Sequence, residues 1–186
     1  MCMPQVDLNL IGWEFFRYVK RVLMRIVYYQ PLFESTVIGE CVNEPESGSL
    51  LPKCCFGRAS ARAWIESSSS LINEMGTLIL ASSESFFQLA LMKIDSRMSL
   101  LERELSDELY FLGDSFSLVD AAFSPTTRYL EIFDNHINFG LFRNRPALQR
   151  WCTTVAERAS VRESALPDFG EQFINYMVKK YNQFSR

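Results

Sequence analysis

Histidine is almost absent from this chain, since His136 is the only one. A single imidazole cannot supply a histidine-based zinc cluster, and the cysteines do not fill the gap. Cys2, Cys41, Cys54, Cys55 and Cys152 are odd in number and scattered, and the adjacent pair Cys54-Cys55 lacks C-x-x-C spacing. Neither a disulfide framework nor a metal site is read from them, so no metal cofactor is expected and a reducing, cytoplasmic setting fits. A basic excess is missing too. Lys and Arg number 19 against 22 Asp and Glu, a net charge of -3, which leaves no electrostatic footprint for nucleic acid. No apolar run reaches roughly eighteen residues, so no transmembrane helix is expected. Asp7 and Glu14 interrupt the N-terminal apolar residues, and no small-residue cleavage site follows, so that segment does not read as a secretory leader.

What remains is the composition of a globular chain of one domain, or one and a half small ones. Of 186 residues, 48% are hydrophobic and 22% charged, and fifteen Phe with seven Tyr can fill a core. Three zones follow one another: an apolar, basic stretch up to residue 42, a polar Asn43-Glu44-Pro45-Glu46-Ser47-Gly48-Ser49 linker, and a long segment of helical periodicity.

In the third zone the first helix is expected from Arg58 to about Ala81, on the recurrence of Trp64, Leu71, Met75 and Leu78. Ser67 to Ser70 have weak helix propensity. At up to about 0.7 kcal/mol each, they do not outweigh a long apolar face, and they let a neighbour come close. Ser82 or Ser83 can cap a second helix that continues to about Ser106, with Phe87, Leu91, Ile94, Met98, Leu101 and Leu105 forming one seam. The seam is too short for a coiled coil and fits packing inside a bundle.

The most informative stretch is Gly113-Asp114-Ser115-Phe116-Ser117-Leu118-Val119-Asp120. Ser117 at the N-cap and Asp120 at N3 form a capping box, with Asp where Glu is more usual, and Phe116 can staple against Ala121. A carboxylate at N3 also meets the positive end of the helix dipole. Among apolar neighbours it reads as a folding element, not a catalytic carboxylate. Pro125 should bend the helix it begins. Pro146 suits N1 of a helix using Leu148, Trp151, Cys152 and Val155. A last helix is expected after Pro167-Asp168, using Phe169, Phe173, Tyr176, Met177 and Tyr181, with Lys179-Lys180 at its C-terminal end.

The run from Gly113 to Pro125 resembles the capping motif of glutathione transferases. Asn144-Arg145-Pro146 through Trp151, then Arg158-Ala159-Ser160-Val161, are similar to the family's next helix and its ending, and Arg62-Ala63-Trp64-Ile65-Glu66 to its first C-domain helix. Upstream, Leu32-Phe33-Glu34-Ser35-Thr36 through Val42 resembles the end of the family's thioredoxin-like N-terminal domain, and the linker leads to Leu50-Leu51-Pro52 as it does there. The resemblance, to bacterial-type cytosolic members, implies a mainly α fold: an all-helical C-terminal domain preceded by a remnant of a thioredoxin-like α/β domain. The expected division is remnant 1-42, linker 43-53 and helical domain 54-186.

In that family the Glu-Ser pair binds the γ-glutamyl end of glutathione, so the resemblance implies Glu34 and Ser35 as glutathione-binding residues. A helix N-terminus with a hydroxyl can hold a carboxylate, and a nearby carboxylate can meet the ammonium group. The plainer reading has Ser35 simply capping a helix from Thr36 to Val42. No catalytic residue is assigned. Cys2, Tyr28 and Tyr29 have thiol-stabilising chemistry but lie in no matching motif, and no Val-Pro dipeptide precedes the pair.

The match fades before Pro31. Residues 10 to 27 read as an amphipathic helix, with Ile11, Phe15, Val19, Val22 and Ile26 on one stripe and Arg17, Lys20, Arg21 and Arg25 opposite. Such a helix can lie on an anionic membrane, fill a partner's groove or cover exposed apolar surface. Val22 to Tyr29 also has strand composition, and a truncated or frame-displaced start is a further expectation. The resemblance therefore implies conjugation of glutathione, as co-substrate, to electrophilic small molecules in cytoplasmic detoxification. It expects that activity to be impaired by loss of the thiol-activating half, with the electrophile against the helix from Arg58 to Leu71 and a homodimer as the assembly. The other reading is a non-catalytic helical binding or scaffold protein of the same fold.

Overall fold

The computed structural model describes residues 35–43, 49–137, 139–164 and 168–184. Its elements are α1 (Ser35–Asn43), α2 (Cys55–Ile79), α3 (Glu84–Glu104), α4 (Leu118–Ile132) running into a π-helical turn (Phe133–Ile137), α5 (Pro146–Glu157), α6 (Ala159–Arg162) and α7 (Phe169–Phe184). Among the described residues no strand forms, only an isolated antiparallel bridge between Tyr110 and Gly113. The readings for residues 1 to 34, the amphipathic helix and Glu34 included, lie outside the described residues.

Helix α2 begins three residues before the expected Arg58, because Cys54 is its N-cap and Cys54 Sγ accepts the Gly57 N–H at 3.2 Å. A Cβ on Gly57 would stand 2.8 Å from Pro52 Cβ and 3.0 Å from Cys54 Sγ, so only glycine leaves the sulfur its place. The four serines stay helical. Ser68 is buried, and its hydroxyl donates to the Ile65 carbonyl at 2.7 Å. Ser83 caps α3, its Oγ accepting from Phe86 N. On the α3 seam Phe87, Ile94, Met98 and Leu101 are buried and meet Leu71, Met75 and Leu78 of α2 in one core. Each such side chain contributes about 1.5–3 kcal/mol through burial.

Helix α4 packs against α2 on one side and α5 on the other. Its Pro125 has no N–H for the Ala121 carbonyl, and the Ser124 hydroxyl donates to that oxygen instead, at 2.9 Å. Thr126, in the same turn, is buried, and its Oγ1 has no partner among the described residues. Helix α5 starts at Pro146 as expected, but its free N–H groups are met from a distance. Ala147 N and Leu148 N donate to the Glu102 carboxylate of α3, at 3.2 and 2.7 Å. Arg145, just before, donates to Leu141 O, Asp95 and Ser99, pinning the same two helices. In α7 the helix continues to Phe184, so Lys179-Lys180 lie inside it and do not form its end.

The capping box closes both ways: Asp120 N donates to Ser117 Oγ, and Ser117 N to Asp120 Oδ2 at 2.8 Å. Phe116 lies edge-on to Tyr110 and carries the Arg158 guanidinium 4.1 Å above its ring. The Asp120 carboxylate, fully buried, also accepts Ser117 Oγ at 2.5 Å, Phe111 N at 2.9 Å and Trp151 Nε1 at 2.7 Å. Around it Phe111, Phe123 and Trp151 pack edge-on or stacked with ring centres 5.4–6.1 Å apart. One carboxylate thus joins the turn, α4 and α5.

Candidate functional site

Of the two expected glutathione contacts, Glu34 lies outside the described residues and Ser35 is the first residue of α1. That helix is one residue longer at each end than Thr36 to Val42, so Ser35 belongs to it. Helix α1 is fastened to the helical bundle at three points. Glu40 takes both Arg62 guanidinium nitrogens, Nε and Nη2, at 2.8 Å each, a bidentate pair with α2. Asn43 accepts the Leu50 N–H at 2.8 Å and donates to Ser49 Oγ at 3.0 Å, closing the connection to α2. Leu50 O then accepts the Leu118 N–H at 2.9 Å, and Gly39 stands with its Cβ position 3.8 Å from Leu118 Cδ1. The N-terminus of α4 therefore touches both the connection and α1.

The hydrogen-bonded Arg62 guanidinium holds the Glu40 carboxyl below the usual carboxylate range, against a smaller upward push from burial. The other shifted groups lie in the bundle. Burial pushes the Tyr129 phenol up to about 12, its ring packed on Phe169 and Phe173. Burial likewise raises Cys152 and Glu131, with Arg128 pulling Glu131 the other way. A thiol so buried is neither a ready nucleophile nor a ligand. No group of three or more metal-ligating side chains occurs among the described residues.

An open groove of about 630 Å³ lies between the end of α2 and the start of α3, with Ile72, Gly76, Thr77, Leu80 and Phe86 on its walls. It lies beyond Arg58 to Leu71, the stretch that the family resemblance implies for the electrophile. Phe86, Leu89 and Met92 leave half or more of their surface exposed, an apolar stretch that α3's buried seam does not foretell. Among the described residues, no helix is long and apolar enough to cross a membrane.

In this helical bundle α4 carries Pro125 inside it and the Ser117–Asp120 capping box at its start, and residues 67–159 match the family model "Glutathione S-transferase, C-terminal domain". The chain belongs to the glutathione S-transferase family. It is similar to "Probable glutathione S-transferase parC" of Nicotiana tabacum, 26% identical over 167 residues that cover 87% of this chain and 75% of that protein. The fold is similar to part of glutathione transferase Omega 3C from Trametes versicolor, with a TM-score of 0.65 at 24% identity. That match covers 72% of this chain and 62% of the Trametes enzyme, so the chain spans less than two thirds of it. A glutathione S-transferase of Methylobacillus flagellatus with glutathione bound aligns at a TM-score of 0.63 and 20% identity, covering 72% of this chain and 69% of that one.

Proposed function

We propose that the protein is glutathione-transferase-like, holding glutathione at the N-terminal turn of α1 through Glu34 and Ser35, with an ancestral activity of conjugating it to electrophilic small molecules. The docking of α1 carries this reading. The Glu40–Arg62 pair and the Leu50–Leu118 bond keep α1 against the family's helical domain. The N-terminus of α1, with Ser35 as its first residue, is the kind of turn that holds a carboxylate. The glutathione held by the Methylobacillus neighbour supports the choice of ligand. Transfer is expected to be impaired, since no thiol-activating residue lies in a matching motif. The same reading takes residues 1-42 as a thioredoxin-like remnant, 43-53 as the linker and 54-186 as the helical domain, in a cytoplasmic homodimer.

Calorimetric titration with reduced glutathione, beside an assay of its conjugation to an activated aromatic electrophile, tests the reading. Weak binding that falls in Ser35→Ala, with transfer near the uncatalysed rate, is the expected pattern. No binding at millimolar glutathione, in a protein that unfolds cooperatively, would refute it. That outcome would favour the second reading, a non-catalytic binding module. The exposed Phe86, Leu89 and Met92 on α3 are the observation that favours this alternative.

A further inference from the structure

We infer that Cys54 and Cys55 form a two-thiol site for a trivalent arsenical. Both thiols are free and exposed, while Cys152 is buried. They are consecutive residues at the start of the 25-residue helix α2. Their Cα atoms lie about 3.8 Å apart across a trans peptide, and a disulfide normally needs about 4.4 Å or more. A disulfide between them would be strained and easily reduced, and both thiols are free in the structure.

The site suits one kind of centre. A cation that seeks four protein ligands finds no group of three or more His, Cys, Asp or Glu among the described residues. An organic arsenic(III) centre brings its own carbon substituent and needs two further bonds. Those two are what adjacent thiols supply. In the reaction R–As=O with two thiols, two As–S bonds form. The arsenic–oxygen bond breaks, and the oxygen leaves with both thiol protons as water. Arsenic stays trivalent, so no oxidant or reductant takes part. Cys54 Sγ is already fixed over the first turn by the Gly57 N–H, in space that Gly57 leaves free. Once one sulfur is bonded, the second attack is intramolecular, and its effective concentration is on the order of millimolar or higher.

Phenylarsine oxide is the probe, added to the full chain and followed by intact mass. The wild-type protein should keep one phenylarsenic group through a wash with reduced glutathione, a monothiol, and surrender it to a small dithiol. Cys54→Ser and Cys55→Ser should each hold the group roughly 10²–10⁴-fold less tightly. Folding should survive in both, because serine is itself a good N-cap and Cys55 is exposed; far-ultraviolet circular dichroism checks this. Equal retention by either single variant, retention by Cys54→Ser/Cys55→Ser through the remaining cysteines, or no retention by the wild-type protein would overturn the inference.

Discussion

Replacing Asp120 by alanine should come close to unfolding the protein. Judged as a cap alone, the substitution would remove about 0.5–2 kcal/mol. The structure adds two long-range donors, Phe111 N–H and Trp151 Nε1–H, both bonded to Asp120 Oδ1 in a fully buried setting. Each donor left without a partner costs about 1–3 kcal/mol. The Ser117 hydroxyl loses its acceptor as well. The combined loss is about 2.5–8 kcal/mol, a range that reaches the exceptional end for one substitution, against a total stability of about 5–15 kcal/mol. With a urea slope of about 2–3 kcal/mol/M, a loss of about 5 kcal/mol, the middle of that range, should lower the unfolding midpoint by roughly 1.7–2.5 M. Trp151 is buried beside the carboxylate, so its fluorescence reports the transition. Asp120→Asn should lose less, since its amide oxygen can still accept two donors while its NH₂ group faces the others. Trp151→Phe in the Asp120→Ala background should recover part of the loss, because the orphaned indole N–H is gone. A loss under about 1 kcal/mol for Asp120→Ala, the low range for a cap alone, would refute the view that this carboxylate joins three elements.

Three further outcomes follow from particular contacts. Arg62→Ala should lower global stability by under about 1 kcal/mol, because the pair with Glu40 is partly exposed, yet it should speed hydrogen exchange of the α1 amides. Glu40 has its folded pKa depressed, so its contribution is present above the ordinary carboxylate pKa and is lost as pH falls through the folded value. Protection of the α1 amides, taken relative to the intrinsic exchange rate at each pH, should therefore fall on acidification in the wild-type protein and change little with pH in Arg62→Ala. Ser124→Ala should lose about 1 kcal/mol by leaving the Ala121 carbonyl without its hydroxyl donor, and Ser124→Ala/Pro125→Ala should recover it in chemical denaturation by restoring the helical N–H. Tyr129, with its pKa raised to about 12, stabilises the fold fully below the unfolded phenol's pKa of about 10 and loses that contribution as pH rises toward 12. Phenolate absorbance should show one tyrosine, absent in Tyr129→Phe, titrating at about 12.

Local pattern was legible where the partners are close in sequence. The Ser117–Asp120 box, the Ser83 cap, Pro146 at N1 and the α3 seam are all spacings of three, four or seven, and each formed where the residues place it. Contacts between distant residues were not. Nothing local says that Trp151, 31 positions on, donates to Asp120, or that Glu102 caps a helix 45 residues later. Cysteine as the cap of α2 was missed because its sulfur is a weak acceptor, outside the usual N-cap set. The glutathione residues Glu34 and Ser35 came from resemblance alone, as no periodicity marks a ligand site.

The attachment of α1 bears on that site through linkage. The helix is held by a partly exposed ion pair, worth under about 1 kcal/mol, and by the backbone bond from Leu118 to Leu50. The core beneath it is far more firmly fixed, with Leu71, Met75, Ile94 and Met98 fully buried. Opening of α1 should thus occur separately from global unfolding and at lower free energy. A ligand that binds only the docked helix would stabilise docking by about 2.7 kcal/mol at one hundred times its dissociation constant, more than the ion pair supplies. On the proposed function, glutathione should slow exchange in α1 while leaving α4 amides unchanged, and the effect should be larger, relative to the free state, in Arg62→Ala. Uniform protection across both helices would mean that the ligand binds elsewhere in the bundle, and unchanged exchange in α1 would separate its docking from any glutathione contact.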